Sequence, residues 1–320
     1  MLRVVIIGYG DMFTNLIAAA LDADCNIVGV LRKDTLKYCH FAKKLKDIIN
    51  PSVEYNYIKS YKLPEIENVK GVNDEAFRKK LLKLNPDIIL VGSWGEKFEK
   101  ETYNIPKIAT INAHPSLLPK YRGPNPYFWV IKNMEQETGV TFHLMDENYD
   151  TGSILAQEVV KIYPSDTGKS LKQRVVLTAR GAACELLRTL TEDLIIPLKQ
   201  NDEKSSYYSY PEGLEIDFKK TAEENYALIR ASHPWDNAFF YNNITALSPN
   251  AETTFIEDNN SSYSVSGTIT SIDYKTNTVS VLCGDGRILK MVNISLYNKI
   301  DKPFTKNYIC RELKEGDLLI

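Results

Sequence analysis

Short apolar runs alternate with longer amphipathic stretches through the first half of this 320-residue chain. The apolar runs have the length of buried strands, and the stretches between them have helical spacing. The predicted strands are 26–31, 87–91 and 107–112, and the predicted helices are 12–21, 35–49 and 74–84. Because strands alternating with helices form parallel sheets, the pattern predicts an α/β fold, a Rossmann-like and mostly parallel sheet with helices on both faces.

The second half has a different pattern. A run at 154–162 predicts an edge strand, and a helix over 170–190 closes the first domain. Residues 199–212 are polar and tyrosine-rich, which predicts a linker. Beyond it, a helix at 222–232 precedes short apolar runs divided by turns, which predicts a smaller, mainly β, OB-like barrel. The short runs are 264–272, 278–282, 288–294 and 317–320. The predicted divisions are a catalytic domain (1–198), a linker (199–212) and a C-terminal β domain (213–320).

Two polar side chains stand at the exit of the strand predicted at 107–112. Residues two apart on a strand project to the same side, so Asn112 and His114 should point together. Pro115 pushes His114 into extended geometry, which keeps the imidazole at the strand's exit rather than inside a helix. The sequence therefore places an amide donor beside a titratable ring.

A third polar side chain is predicted to join them. A helical stretch at 126–134 and an alternating run at 139–145 predict a strand–helix–strand crossover, which would end both strands at one edge of the sheet. Asp150 lies in the polar loop after the second strand, so we expect it beside His114 at the carboxyl edge, where open α/β sheets bind ligands. A single His or Asp in a loop is usually just solvated, and it is the combination that predicts an active site.

Three motifs of this segment resemble the signature of the folate-dependent formyltransferases, which include methionyl-tRNA formyltransferases and sugar N-formyltransferases. They are Asn-Ala-His-Pro-Ser-Leu-Leu-Pro at 112–119, Tyr-Arg-Gly at 121–123 and Asp-Thr-Gly at 150–152. The resemblance implies transfer of a formyl group from 10-formyltetrahydrofolate to a primary amine, without a metal. It also implies that Asn112, His114 and Asp150 match the family's catalytic trio.

The chemistry of formyl transfer explains these residue types. An amine that attacks a formyl carbon creates an oxyanion and an ammonium that must lose a proton. The Asn112 amide can donate to the oxyanion, a contribution of roughly 3 kcal/mol in comparable sites. His114 can move the proton or, when protonated, share the oxyanion, and Asp150 would favour the charged ring and orient it. Both roles of His114 stay open at this point.

A second patch follows the apolar strand that ends at Gly92. The resemblance implies that the loop after it wraps the pteridine ring, whose edge can be read by backbone N–H and C=O groups. Trp94 could form an apolar wall or pack the sheet edge, and a purely structural role is the alternative for His143. The candidate folate-binding residues are Ser93, Trp94, Gly95, Glu96, His143 and Asp146.

Other residues are candidates for holding the amine substrate. The planar fork of Arg122 could pair with a phosphate or carboxylate, or could bridge its own loop to the sheet. Gly10, at the turn into the first helix, could meet an anionic group through the helix amino terminus. The candidates are Gly10, Arg122, Gly123, Asn125 and Tyr127.

Charge gives the best indication of the acceptor. The whole chain carries −2, and residues 213–320 hold 11 Lys and Arg against 14 Asp and Glu, whereas a tRNA-binding protein usually shows a basic face. The resemblance also implies a basic loop rich in Pro and Gly in the tRNA enzymes, but 31–41 here contains neither residue. We therefore expect a small amine, an amino-sugar nucleotide or an aminoacyl-type amine, with tRNA disfavoured and methionyl-tRNA formyltransferase as the alternative.

Two further functions stay open. Gly8 and Gly10 begin a dinucleotide-binding fingerprint that would make the chain a nicotinamide-dependent oxidoreductase, but Phe13 stands where the third glycine belongs. A formyltetrahydrofolate hydrolase would use the same trio with water in place of the amine. A dry pocket shaped for an amine would distinguish a transferase from a hydrolase.

Composition indicates the cellular compartment in which we expect the protein. The five cysteines form no CxxC pair, which argues against a zinc site and for a reducing compartment. No apolar stretch approaches membrane-spanning length and no secretory signal is recognisable, so we expect a cytoplasmic enzyme without a membrane partner. A homodimer is left open.

Overall fold

The strands of the first half form one six-stranded sheet. They are β1 (Arg3–Gly8), β2 (Asn26–Arg32), β3 (Ile88–Gly92), β4 (Ala109–His114), β5 (Glu137–Leu144) and β6 (Ile154–Lys161). Their order is β2-β1-β3-β4-β5-β6, in which β2, β1, β3 and β4 are parallel and the last two strands pair antiparallel. The predicted mostly parallel sheet with β6 at its edge is confirmed.

The expected crossover between β4 and β5 is wrong. These strands are antiparallel, with Asn112 opposite His143 and His114 opposite Thr141, so they do not end at one edge. A hydrophobic pattern identifies a strand but carries no information on its direction, which the path of the connection decides. Asp150 still reaches His114, because the loop after β5 folds back along the sheet.

The computed structural model describes residues 1–33, 40–67, 69–190, 196–243, 245–297 and 311–319. Its helices are α1 (Gly10–Asp22), α2 (His40–Ile49), α3 (Val53–Ser60), α4 (Glu75–Leu84), α5 (Lys100–Tyr103), α6 (Pro126–Lys132), α7 (Gly168–Thr189) and α8 (Ala222–Ser232). The start of the helix predicted at 35–49 lies outside the described residues. Helix α3 was not predicted, because its eight residues are too few to show a clear period, although Ser52 caps it by accepting from the Tyr55 N–H.

Apolar side chains cover both faces of the sheet. On one face Met12 and Leu16 of α1 lie so close to Gly92 that a Cβ there would sit within 2.7 Å of both. On the other face the core contains alternate residues of β1 and β3 together with Phe77 and Leu81 of α4. The helices therefore enclose the sheet and leave the strand ends to form a site.

The end of the chain forms two small antiparallel sheets. One contains β10 (Ile269–Asp273), β11 (Thr278–Leu282), β12 (Ile288–Met291) and β9 (Phe255–Glu257), in that order. The other contains β13 (Ser295–Leu296), β8 (Thr245–Ser248) and β7 (Phe240–Asn242). The smaller antiparallel β domain is confirmed, whereas its closure into a barrel stays a prediction. The run expected at 317–320 contributes a single bridge, Thr268 to Leu318, and residue 320 lies outside the described residues.

Two compact units make up the chain, and each is assembled from separate segments. The first unit contains Met1–Pro126, Glu137–Lys161 and Gln173–Ser209, and the second contains Tyr127–Gln136, Ile162–Lys172 and Tyr210–Ile320. The divisions predicted at 198 and 213 stay predictions. Within the described ranges, no helix combines the length and apolarity needed to cross a membrane.

Candidate active site

The three predicted catalytic side chains meet around one carboxylate oxygen. Nδ1 of His114 lies 3.3 Å from Oδ1 of Asp150, and Nδ2 of Asn112 donates to the same oxygen over 3.4 Å. Asn112 and His114 project from β4 to the same side, as their spacing predicts. The structure thus brings the trio together.

The loop after β5 is shaped to present Asp150. Asp150 itself has φ 58°, a left-handed conformation that Asp tolerates better than most residues. The Gly123 N–H donates to its Oδ2 over 3.0 Å. Gly152 packs so tightly that an added Cβ would lie 1.8 Å from the Leu144 carbonyl oxygen. This close return onto β5 allows the carboxylate to reach β4.

His114 is buried and is held at both ring nitrogens. Its Nε2 lies 2.8 Å from the Tyr121 carbonyl oxygen, which can only accept, so Nε2 carries a proton. Burial lowers the pKa of His114, but the charge and hydrogen bond of Asp150 and the Tyr121 carbonyl outweigh it and raise the pKa above its ordinary value. Burial raises the pKa of Asp150, yet the charge and hydrogen bond of His114 outweigh it and hold that pKa well below its usual range. Both shifts favour the form of the pair in which an imidazolium faces a carboxylate.

His143 lies against the trio. Its Nδ1 lies 2.8 Å from the Leu144 carbonyl oxygen and therefore carries the proton, which leaves Nε2 to accept from Nδ2 of Asn112 at 3.1 Å. Nε2 is also 3.5 Å from Oδ1 of Asp150. The buried ring thus orients the Asn112 amide, a contact that the sequence pattern did not indicate.

The four candidate residues after β3 follow the strand that lies beside β4. Ser93, Gly95 and Glu96 are exposed, and Ser93 has φ 57°. Trp94 packs against the core of the first unit, and among the described residues its buried Nε1 has no hydrogen-bond partner. The end of β3 therefore offers open backbone and one unsatisfied donor.

Two of the folate candidates, Glu96 and Asp146, accept hydrogen bonds from residues near them. A Glu96 carboxylate oxygen accepts from the Val72 N–H at 3.2 Å. The Asp146 carboxylate accepts from the Thr151 hydroxyl at 2.7 Å and from the Asn148 N–H at 3.0 Å. Asp146 thereby braces the turn that contains Asp150.

The candidate anion-binding groups already have partners within the protein. The Arg122 guanidinium donates to Oε1 of Gln200 at 2.8 Å and to Asp202 at 2.8 Å, which favours the structural alternative for this side chain. The Gly10 N–H donates to Oε1 of Glu54 over 2.7 Å, so a carboxylate of α3 occupies the donor expected to meet a substrate.

Gly123, Asn125 and Tyr127 are the remaining substrate candidates. Gly123 binds Asp150, and its φ of 98° suits glycine. Asn125 has φ 53°, and in the described part of the chain its buried Oδ1 has no partner. Tyr127 belongs to the second unit, where it stacks on Trp235 with ring centroids 6.0 Å apart. Gly123 therefore contacts the trio directly.

A separate cavity of about 660 Å³ lies in the second unit and contains none of the trio. It is lined by Glu223, Ile256, Glu257, Asp258, Asn260 and Arg287. Within the described ranges, no three His, Cys, Asp or Glu side chains are grouped so as to hold a metal ion.

Family models match most of the chain. The formyl transferase model matches residues 2–185, and the formyl transferase C-terminal domain matches residues 210–301. This chain belongs to the formyl transferase family. The first match includes the Gly8–Gly10 turn, so the nicotinamide-dependent alternative is set aside. Family membership, predicted from the motifs around His114, is confirmed.

Two relatives similar to this formyl transferase are named methionyl-tRNA formyltransferases. The methionyl-tRNA formyltransferase of Clostridioides difficile is 31% identical over 323 residues, which cover 99% of this chain and 98% of that protein. The enzyme of the same name from Caldanaerobacter subterraneus is 35% identical over 199 residues, 62% of this chain and 64% of that protein.

Two solved structures have the same fold as this chain. WlaRD, a sugar 3N-formyltransferase, has a TM-score of 0.66 at 22% identity and covers 91% of this chain and 98% of its own. The N-formyltransferase of Helicobacter canadensis, solved with folinic acid and dTDP-3-aminofucose, has a TM-score of 0.67 at 20% identity, with 91% and 100% covered. At these identities the likeness shows the fold alone.

Proposed function

We propose that this chain is an N-formyltransferase that moves a formyl group from 10-formyltetrahydrofolate to a primary amine. The convergence of Asn112, His114 and Asp150 on one oxygen, in a member of the formyl transferase family, supports this proposal. An amide donor and an imidazolium–carboxylate pair are the groups that such a reaction needs.

Asn112 is the proposed donor to the oxyanion. Its Nδ2 contacts His143 at 3.1 Å and Asp150 at 3.4 Å, so the longer bond to Asp150 is the one that an oxyanion would replace. The shorter contact to His143 keeps the amide oriented while that exchange occurs. A donor fixed in advance costs no reorganisation during the reaction.

The raised pKa of His114 favours one of its two roles. We propose that the ring acts as an imidazolium, which cannot accept a proton but stabilises the negative charge that develops on the formyl oxygen. Its hydrogen bonds to Tyr121 and Asp150 hold the ring in place. The attacking amine forms the new C–N bond, its proton passes to the departing nitrogen of tetrahydrofolate, and the bond between that nitrogen and the formyl carbon breaks. Asp150 stays ionised throughout and fixes the charge and the orientation of His114.

The end of β3 is the proposed folate site. A pterin edge presents paired donors and acceptors, and the exposed backbone at Ser93 and Gly95 can pair with them. The buried Nε1 of Trp94 supplies a further donor, which has no partner within the described ranges of the chain. The bound folate supplies the formyl group, and β3 lies next to the strand that carries Asn112 and His114.

Two acceptors are each favoured by a different observation. Similarity over nearly the full length to a methionyl-tRNA formyltransferase favours the amino group of methionyl-tRNA, so the expectation that tRNA is disfavoured is not upheld. The charge of −2 and the absence of Pro and Gly from 31–41 favour an amino-sugar nucleotide. Residues 34–39 of that segment lie outside the described residues.

Turnover of 10-formyltetrahydrofolate, followed by absorbance, tests the proposal. The assay is run without an acceptor, with a panel of amino-sugar nucleotides, and with charged initiator tRNA. Acceleration by an amino-sugar nucleotide alone identifies a small-amine enzyme, and acceleration by tRNA alone identifies the tRNA enzyme. Equal turnover in every arm would identify a hydrolase and would contradict amine transfer.

A further inference from the structure

Residues 198–208 pack onto the loops that form the active site, and we call this segment the strap. Leu198 exchanges two backbone hydrogen bonds of 2.8 Å with Ile154. Farther along, the Arg122 N–H donates to the Ser206 carbonyl oxygen over 2.9 Å, and the Tyr208 N–H donates to the Arg122 carbonyl oxygen over 3.0 Å. The residues predicted as a linker, 199–212, therefore belong to the first unit as far as Ser209.

Gln200 is the buried residue of the strap, and its amide makes four contacts with the active-site loops. Nε2 donates to the carbonyl oxygens of Asp150 at 2.9 Å and Gly152 at 2.7 Å. Oε1 accepts from Nη2 of Arg122 at 2.8 Å and from its Nε at 3.2 Å. The side chain thus joins the loop after β5 to the loop after β4.

We infer that Gln200 and Arg122 form a positioning pair that holds the Asp150 carboxylate against His114. Asp150 has a left-handed backbone, which persists only where the surroundings determine it, and the Gln200 amide binds carbonyl groups at and just beyond that residue. Arg122 anchors Gln200, and the next residue, Gly123, binds the Asp150 side chain. One closed ring of contacts therefore sets both the backbone and the side chain of Asp150.

The substitution Gln200→Glu tests this inference with almost no change in shape. The new carboxylate keeps an acceptor for Arg122 but turns an oxygen toward the two carbonyl oxygens that Nε2 now binds, which pushes the Asp150 turn away. We expect kcat to fall on the order of tenfold to a hundredfold, since displacements of about 1 Å have such effects, while the KM for the formyl donor stays within twofold.

Gln157 provides a matched control. Its Nε2 donates to the Leu118 carbonyl oxygen at 2.9 Å and to the Thr141 hydroxyl at 2.8 Å, but it does not contact the Asp150 loop. Gln157→Glu introduces the same charge in the same unit, so it should keep kcat within about twofold. Equal losses in both variants would overturn the positioning role.

A second measurement does not depend on turnover and so separates this inference from the proposed function on which it rests. The chain has four histidines, so ¹⁵N NMR can follow the titration of His114, assigned with a His114→Gln variant. In the wild type, Asp150 and His143 are the titratable side chains beside its ring among the described residues, and the Tyr121 carbonyl oxygen faces its Nε2. Displacement of Asp150 in Gln200→Glu should bring the pKa of His114 back toward its ordinary value.

The turnover assay and the titration of His114 distinguish a failure of the proposed function from a failure of the positioning pair. If no acceptor supports turnover but the pKa of His114 falls in Gln200→Glu and not in Gln157→Glu, the proposed function fails and the positioning pair stands. An unchanged pKa in Gln200→Glu overturns the pair. If that variant does not fold, Arg122→Lys replaces it, because lysine keeps the charge but loses the fork that binds Gln200, and the same fall in pKa is expected.

Discussion

β3 and β4 are neighbours in the same sheet, but the residues at their carboxyl ends differ in how many contacts they make within the protein. At the end of β4 the side chains of the trio contact one another, a neighbouring histidine and the Tyr121 carbonyl oxygen. At the end of β3 the residues Ser93, Gly95 and Glu96 are exposed, and the buried indole N–H of Trp94 has no hydrogen-bond partner among the residues that the structure describes. The first strand end is organised in advance by the protein, whereas the second leaves groups for a ligand to complete.

This difference separates the kinetic constants that each strand end should control. Groups that are already in place contribute most in the transition state, so changes at β4 should lower kcat. Groups that become hydrogen-bonded only when a ligand binds stabilise the ground-state complex. Changes at the end of β3 should therefore raise the KM for the formyl donor.

The largest expected effect is that of Asp150→Asn. The variant keeps the size of the side chain but removes the charge that holds His114 protonated, so we expect kcat to fall about a thousandfold. Steady-state kinetics with the accepted amine measures the loss. Glu147→Gln removes an exposed charge from the same loop and is the control, with kcat near the wild-type value. A loss of less than tenfold in Asp150→Asn would contradict an organised β4 site.

Asn112→Ala should have the next largest effect. Removing the proposed oxyanion donor should lower kcat about a hundredfold and leave the KM for the formyl donor nearly unchanged. The two constants are obtained by varying the donor at saturating acceptor. If only the KM rises, Asn112 belongs with the binding groups of β3, and the division between the two strand ends disappears.

Trp94→Phe should change the KM for the formyl donor rather than kcat. The change keeps an aromatic ring but removes the buried N–H, and one lost hydrogen bond of about 1 kcal/mol raises the KM for the formyl donor roughly fivefold. The kcat should stay near the wild-type value. Trp129→Phe, in helix α6, is the matched control and should change neither constant. A fall in kcat without a change in KM would place Trp94 with the catalytic groups.

The smallest effect concerns stability as a function of pH. The raised pKa of His114 makes its pair with Asp150 stabilising below about pH 6.5, the ordinary value for histidine, and that stabilisation is lost as the pH rises through the folded-state pKa. The lowered pKa of Asp150 contributes stability above about pH 4, the ordinary value for aspartate. That contribution is lost as the pH falls from there through the folded-state pKa. Urea unfolding of the wild type and His114→Gln should therefore differ more at pH 5.5 than at pH 9. A constant difference would show that the pair is not ionised in the native protein.

The site could be predicted in part, because some contacts follow from local geometry. Asn112 and His114 share a side because a strand has a period of two residues, and Pro115 keeps the ring at the strand's exit. Asp150 was expected beside them through a parallel crossover, but it arrives from an antiparallel strand and a returning loop. The sequence pattern therefore predicts that the three side chains meet, but it predicts the wrong direction for the strand that leads to Asp150.

Other contacts could not be predicted, because they join residues far apart in the chain. Gln200 reaches the Asp150 loop across 50 residues and Arg122 across 78, and nothing in its polar surroundings distinguishes it from a linker residue. Glu54 similarly reaches the Gly10 N–H from a helix that the sequence pattern did not show.

The amino-acid sequence by itself determined most strands of the six-stranded sheet, most of the helices, the family and the chemical types of the trio, because periodicity and short motifs are local properties. Only the tertiary structure decided the direction of β5, the pairing of His143 with Asn112 and the strap that holds Asp150. These depend on which distant segments pack together, and packing is a property of the whole chain rather than of any window of it.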